Sequence, residues 1–552
     1  MSDSNDMIGR AEDGREKVST QTSPWARGIL LGGMLTLVVS VLVTDASRLS
    51  GEWARFSGVL MGNGAEAKPS SSATERVLLW NDNVMGSIDE LEKRLDLESP
   101  LCKWVQPRMQ GWLASMGEGG EEVMIGREGW LFYRPSFDHL TARSALVNRT
   151  VPTERGYDAA LAKVRDFAKY LRDRGIELVM VPVPPKLAVH PEKFVSGQGG
   201  DLIETPGYRR WVTQVEAEGV RVFDMADALS SFRAQSGVPA YLRSDTHWRP
   251  ESMEWCAGKL VAYLEAEKLI KGSQNLEENI IVTTKMTGRG DLWRMLRLGR
   301  DNTLVGPEEV PLKQVRTSAG MRWQPSRTSE VLLLGDSFCN IYSLGQMGWG
   351  EGAGFAEHLG HGLRRPVDAI LRNSDGAHAT RQIIAQDLAR GTDRLAGKSV
   401  VIWEFASREL TEGDWVGYDY HLGEKAESRF IEVDSGRTLE LEATVVEVSP
   451  IPSPGSVPYQ DFVATVHLRD LVNVHSGESG GTEVLAYASA MEANRWTNLA
   501  GVRSGQRVRV RLTSWIDAEG QFGRWNRSEA SEDLLLESVN WLSEIKLVGD
   551  ED

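Results

Sequence analysis

Between residues 157 and 405 the hydrophobic positions switch repeatedly between a helical period and continuous apolar runs. YDAALAKVRDFAKYLRDRG (157–175) repeats its apolar residues every three to four positions and ends at a glycine, which predicts an amphipathic helix. IELVMVPVPP (176–185) is apolar almost throughout and closed by prolines, as expected of a buried strand. A second helix over 207–219 leads into a strand at 220–225, and a third over 250–268 carries Pro250 in its first turn. Strands are predicted at 329–337, 367–371 and 399–405, with a helix at 379–391. Such alternation predicts an α/β fold, a parallel sheet flanked by helices on both faces. No internal repeat is present.

On either side the pattern changes. Residues 76–116 read as helical, and GREGWLFYRP (126–135) reads as a Gly-rich turn entering an aromatic strand. Beyond residue 424 come RTLELEATVVEV (437–448), DFVATVHLRDL (461–471), TEVLAYASA (482–490), QRVRVRLTSWI (506–516) and GRWNR (523–527). Gly, Pro and Ser clusters separate them, at the length and period of antiparallel strands. A small C-terminal β-domain over 425–552, a sandwich or barrel, is their natural packing.

Near the N-terminus, GILLGGMLTLVVSVLV (28–43) is uncharged and preceded by Arg10, Arg15, Lys17 and Arg27. With Thr44 and its flanks it is long enough to cross a bilayer, and the basic residues before it keep 1–27 in the cytoplasm. The expected order is therefore a cytoplasmic tail (1–27), an N-terminal membrane anchor (28–44), a small polar linker (45–78), an exported catalytic-type domain (79–424) and the β-domain. A cleaved signal peptide ending near TDA (44–46) is the rival, and a buried core helix the third reading.

Charge narrows the function. The net charge of −16 lacks the basic footprint that nucleic acid requires, although Arg209, Arg210 and Arg243 could line a local basic groove. Three cysteines, Cys102, Cys256 and Cys339, allow neither a disulfide framework nor a Cys-rich zinc site. The 18 tryptophans suit core packing first, and sugar faces second.

Candidate chemistry sits in two segments. VLLLGDSFCN (331–340) is an apolar strand that breaks at Gly335 and delivers Asp336 and Ser337 past its carboxyl end, where open α/β sheets place their ligands. RSDTHWRPES (243–252) sets Asp245 and His247 two positions apart, on one side of the chain if it is extended. A serine hydroxyl needs an imidazole to take its proton and a carboxylate to orient that imidazole. Taken singly, Asp336 or Ser337 reads as a helix cap, Asp245 as a capping acid and His247 as a packing histidine. A metal site using Asp245 and His247 with His190 or His378 fits no zinc-motif spacing. His358 and His361 read as solvated or capping.

Asp-Thr-His-Trp (245–248), the strand-borne Gly-Asp-Ser-Phe (335–338), Gly-Trp-Leu-Phe-Tyr (129–133) and VIWEF (401–405) followed by Arg408 together resemble the bacterial alginate O-acetyltransferase family, over roughly residues 79–415. The resemblance implies an SGNH-hydrolase-like fold, with Ser337 as nucleophile, His247 as base and Asp245 as third member. VPVPPKLAVHPEKF and GRGDLW look like family features near the cleft. Beside the triad, Trp248 and Trp293 are expected as sugar platforms, Arg243 and Arg408 as substrate contacts, and Asn340 or Asn373 as oxyanion donors beyond the Ser337 N–H. It further implies a polysaccharide acceptor (alginate-like or another exopolysaccharide) and an acetyl donor relayed by a multi-pass membrane acyltransferase; no cofactor is expected, and the anchor at 28–44 leads us to expect an inner-membrane protein whose catalytic domain is periplasmic. An esterase with the same triad and a glycan-binding scaffold without activity are the alternatives.

Overall fold

The computed structural model describes residues 99–141, 155–197, 199–270, 278–299, 301–423, 430–454, 457, 459–475, 483–529, 534 and 538–548. The chain divides into two compact units between Gln106 and Pro107. Of the first unit only 99–106 are described, entering the helix Pro100–Ser115. The anchor segment, the linker and most of the helix expected over 76–116 lie outside the described residues. Among those described, no helix is long and apolar enough to cross a membrane.

The second unit opens with a short antiparallel hairpin of β1 (Val123–Ile125) and β2 (Leu131–Tyr133). A five-stranded parallel sheet follows, made of β3 (Glu177–Val183), β4 (Arg221–Val222), β7 (Val331–Gly335), β8 (Asp368–Leu371) and β9 (Val400–Ala406), in the order β4-β3-β9-β7-β8. Between β4 and β7 the chain forms an antiparallel hairpin, β5 (Ile280–Gly288) with β6 (Glu308–Arg316), which the hydrophobic pattern did not announce because β5 is almost wholly exposed.

Period-two alternation splits the sheet's side chains into two cores. Val179, Val181, Val331, Leu333, Val400 and Ile402 pack under the helices Met225–Ser236, Pro250–Ala266 and Phe355–Leu363. Leu178, Met180, Leu332, Leu334, Val401, Trp403 and Phe405 pack under Tyr157–Asp173, Pro206–Ala217 and Ala379–Ala389. Every residue of β7 and β9 is buried, so these central strands hold the ends that carry the site. The α/β fold read from the sequence is therefore present, with helices on both faces.

The C-terminal region is a barrel. Its strands β10 (Thr438–Val448), β11 (Phe462–Asn473), β12 (Glu483–Glu492), β14 (Arg507–Ser514) and β16 (Val539–Leu547) pair as β10-β11-β12-β16-β14 and back to β10, while β13 (Arg495–Trp496) and β15 (Asn526–Arg527) are short additions. Closure removes the exposed edges an open sheet of this length would carry. One expectation is corrected here: Trp515 and Ile516 are not the end of the strand read over 506–516 but the start of the helix Trp515–Phe522. Its Trp515 and Phe522 pack with Tyr487 and Trp541 of the barrel. Arg327 of the α/β portion grips Glu519 of that helix with two hydrogen bonds, of 2.8 and 2.6 Å.

Candidate active site

The nucleophile turn forms at the carboxyl end of β7. A Cβ at Gly335 would meet Cys339 Sγ at 2.6 Å and Glu404 Oε2 at 3.0 Å, so only glycine lets the strand turn here. Asp336 caps the short helix Ser337–Asn340, its Oδ1 accepting the Phe338 N–H at 2.8 Å, and its Oδ2 accepts the Ala406 N–H at 2.9 Å. Capping thus falls to Asp336. Ser337 keeps its hydroxyl for the cleft.

Asp245 and His247 come from a tight turn rather than an extended segment. Tyr241 bridges Trp248, Leu242 N–H donates to His247 O at 3.1 Å, and Asp245 Oδ1 accepts the His247 N–H at 3.1 Å. The same oxygen takes the His247 Nδ1–H at 2.6 Å, and His247 Nε2 lies 2.8 Å from Ser337 Oγ, placed to accept its proton. This is the acid–imidazole–hydroxyl chain that serine acyl-transfer chemistry requires.

Remote groups hold that turn. Lys186 Nζ, fully buried, donates to the carbonyls of Leu242 (2.9 Å), Arg243 (3.1 Å) and Asp245 (2.6 Å). Asp245 Oδ2 accepts from the Asp291 N–H at 3.0 Å and the Trp349 indole at 2.8 Å. Asp291 in turn accepts the Thr246 N–H at 2.8 Å and the Thr246 hydroxyl. A Cβ at Gly290 would sit 2.2 Å from Ser244 O, so the Gly-Asp of GRGDLW is what lets this segment press against the turn.

Electrostatics follow from burial and partners. Burial opposes the Asp245 carboxylate, but His247, Arg294 and Trp349 outweigh it and hold the acid ionised, well below its usual range. For His247, burial works against the imidazolium, yet the Asp245 carboxylate, aided by Asp291 and Asp336, leaves its pKa raised. Burial pulls Lys186 down to about 8 against the pull of Asp245, Asp291 and Glu308. Glu404, behind the nucleophile turn, is pushed well above the carboxylate range by burial and by Asp336, and its Oε2 accepts the Asp336 N–H at 3.0 Å.

The triad opens into a cleft of about 340 Å³. Its wall includes Tyr133, Asp291, Arg294, Asn373, Arg408 and, from the barrel portion, Tyr459.

Residues 123–407 match the family model for the SGNH hydrolase-like domain, acetyltransferase AlgX. The chain belongs to this family. Relatives include the probable alginate O-acetylase AlgJ of Pseudomonas aeruginosa, 27% identical over 384 residues that cover 66% of this chain and 92% of that protein. The AlgJ of Azotobacter vinelandii is 26% identical over 351 residues, covering 59% and 81%. Among solved structures, the O-acetyltransferase domain of Pseudomonas putida AlgJ aligns at a TM-score of 0.41 and 24% identity, covering 52% of this chain and 92% of that one. This chain is accordingly an SGNH-like acetyltransferase.

Of the other residues expected in this acetyltransferase site, Arg408 and Asn373 line the cleft. Four expectations are corrected. Trp248 is fully buried, its indole donating to Phe338 O at 3.1 Å and its ring stacked on Phe355, so it supports the nucleophile helix from behind. Trp293 falls on the opposite side of the helix Asp291–Met295 from Asp291, Arg294 and Met295, and packs with Leu292 and Leu296 under the Arg289 guanidinium. Arg243 reaches Gly306 O rather than the cleft. Asn340 is buried and donates to Asn373 Oδ1 at 2.9 Å, so it is no cleft donor.

Arg209 and Arg210 pair with Glu204 and Asp158, apart from Arg243. His190 binds Glu192 and the Ala240 N–H, and His358 is buried against Lys313 O instead of solvated. A metal-type grouping does include Asp245 and His247, but its third member is Asp291, not His190 or His378. Both oxygens of each acid and both ring nitrogens already hold hydrogen bonds within the protein. An ion would have to displace several of them. Lys186 and Asp291 lie in segments the sequence flagged. Glu404 lies in the flagged VIWEF segment as well, whereas Trp349 and Tyr459 carried no signal, because each acts through a contact made only in the fold.

Proposed function

We propose that this acetyltransferase works through an acetyl-Ser337 intermediate and delivers the group to hydroxyls of an exported polysaccharide. Ser337 Oγ attacks the donor carbonyl while its proton passes to His247 Nε2, and the proton leaves with the departing group. An acceptor hydroxyl then gives its proton to His247, its oxygen attacks the acetyl carbonyl, and Ser337 recovers a proton as the ester forms. Asp245 holds the ring and balances the imidazolium. The Ser337 N–H is the first oxyanion donor. General-base help is worth ~10²–10⁴ in rate, and each oxyanion donor about 10²–10³.

The observation that carries this reading is the unbroken contact chain from Ser337 Oγ to His247 at 2.8 Å and on to Asp245 at 2.6 Å. Relatives carry the name alginate O-acetylase, which favours a polysaccharide acceptor here. Residues 28–44 serve as an uncleaved inner-membrane anchor in this reading, with the catalytic domain in the periplasm and a multi-pass acyltransferase relaying acetyl groups to it.

The experiment is transfer from an activated acetyl ester to an oligosaccharide panel, read by mass spectrometry. Acetylated oligosaccharide and an acetyl adduct on Ser337 are expected. Acetate as the sole product would make the protein an esterase.

A further inference from the structure

Besides Tyr459 on the cleft wall, the barrel sends a buried side chain, Asn526, toward the nucleophile region. β8 ends beside the nucleophile turn, where Arg372 N–H donates to Gly335 O at 2.9 Å. Asn373 comes next and is buried, and after it Ser374, exposed on the cleft wall, holds φ at 62°. A non-glycine residue stays in that left-handed region only when its surroundings fix it.

Next to it in the chain, Asn373 belongs to a ladder of three asparagines. Asn340, three positions after Ser337, donates Nδ2 to Asn373 Oδ1 at 2.9 Å. Asn373 donates Nδ2 to Asn526 Oδ1 at 3.1 Å, and Asn526 returns its own Nδ2 to the Asn373 main-chain carbonyl at 2.6 Å. All three are at most 3% exposed. Asn526 lies on β15, whose pairing with Phe462 of β11 ties it to the barrel wall. No other side-chain amide can both accept and donate from that position with the same reach.

We propose that Asn526 is a positioning residue for acyl transfer: the barrel uses it to lock Asn373 and Ser374, and so the cleft wall facing Ser337. The inference rests on the reading of Ser337 as nucleophile. It gives the barrel a part in the first chemical step.

The test is hydrolysis of p-nitrophenyl acetate by the full chain, which needs no polysaccharide. Asn526→Ala is expected to lower kcat about tenfold, the equivalent of ~1.4 kcal/mol, with KM nearly unchanged. The pH of the acid limb is expected to stay in place, because His247 and Asp245 are untouched. Asn526→Asp keeps the acceptor and loses the donor, so it should fall between Ala and wild type. Asn373→Ala combined with Asn526→Ala should cost little more than either alone. Arg327→Ala, which breaks the ion pair with Glu519 elsewhere on the barrel contact, should leave kcat unaltered.

Unchanged kcat in Asn526→Ala, or an equal loss in Arg327→Ala, overturns the proposal. So do additive effects in the double variant. A wild-type chain that forms no acetyl-Ser337 would overturn the nucleophile reading itself. Labelling of Ser337 detects that outcome separately.

Discussion

Ser337 and His247 meet from supports of opposite kind. The serine stands on a buried central strand, and its turn is set by neighbours in sequence: Gly335 makes the bend and Asp336 caps the helix. The histidine stands on a turn with no regular structure of its own, held by Lys186, Asp291 and Trp349 from three other parts of the chain. The nucleophile turn is shaped by residues adjacent in sequence and then fastened by Glu404 and Ala406 of β9. A base whose tautomer and charge must be controlled needs partners that only the folded chain can supply.

The largest test of that contrast is removal of each end of the chain. Ser337→Ala should abolish ester hydrolysis, by roughly 10⁴-fold or more in kcat, with the melting temperature little changed. Asp245→Asn should cost about 10⁴-fold through loss of the correct tautomer, in the same assay. The pH profile sharpens the comparison. His247 must be unprotonated to act and its pKa is raised, so kcat/KM should fall as pH drops through a value above the usual ~6.5. In Asp245→Asn the residual activity should show that limb moved to lower pH.

Next in size is Lys186→Met. It strips three carbonyls of a buried donor, and about 1–3 kcal/mol of stability should go with it, read by chemical denaturation. Loss of activity without loss of stability would mean that Lys186 acts on the reaction and not on the turn. Smallest is Glu404→Gln. The folded-state pKa of Glu404 is raised, so the stability it contributes is present below the unfolded value of ~4.3 and is lost as pH rises through the folded value. Glutamine should flatten that decline and leave kcat within about twofold, whereas a steeper decline in a pH series of melting curves would contradict the protonated state assigned here.

The same contrast explains what could be read before folding. GDS after an apolar run and Asp245 beside His247 were legible, as were the helices and strands whose periods are strong. Trp248 and Trp293 misled because an indole in a motif says nothing about which way its element faces. The helix Met225–Ser236 had its signals, with Asp224 capping the Ala226 N–H and Gly237 in the left-handed region, but only weak amphipathic spacing between them. β5 offered no apolar face to read, and β16 was broken by the polar Ser543 and Glu544. Asn526 sat in GRWNR as an ordinary strand residue. Its importance is a matter of what it touches 153 positions away.

That separation also bears on how the protein acquires its activity. Ser337 meets His247 across 90 positions, and Asn373 meets Asn526 across 153, so loop-closure entropy opposes both contacts until most of the native topology exists. In a refolding experiment, ester cleavage should therefore return later than helical circular dichroism, and a nascent chain still short of residue 526 should be a poor esterase even with its whole triad already synthesised.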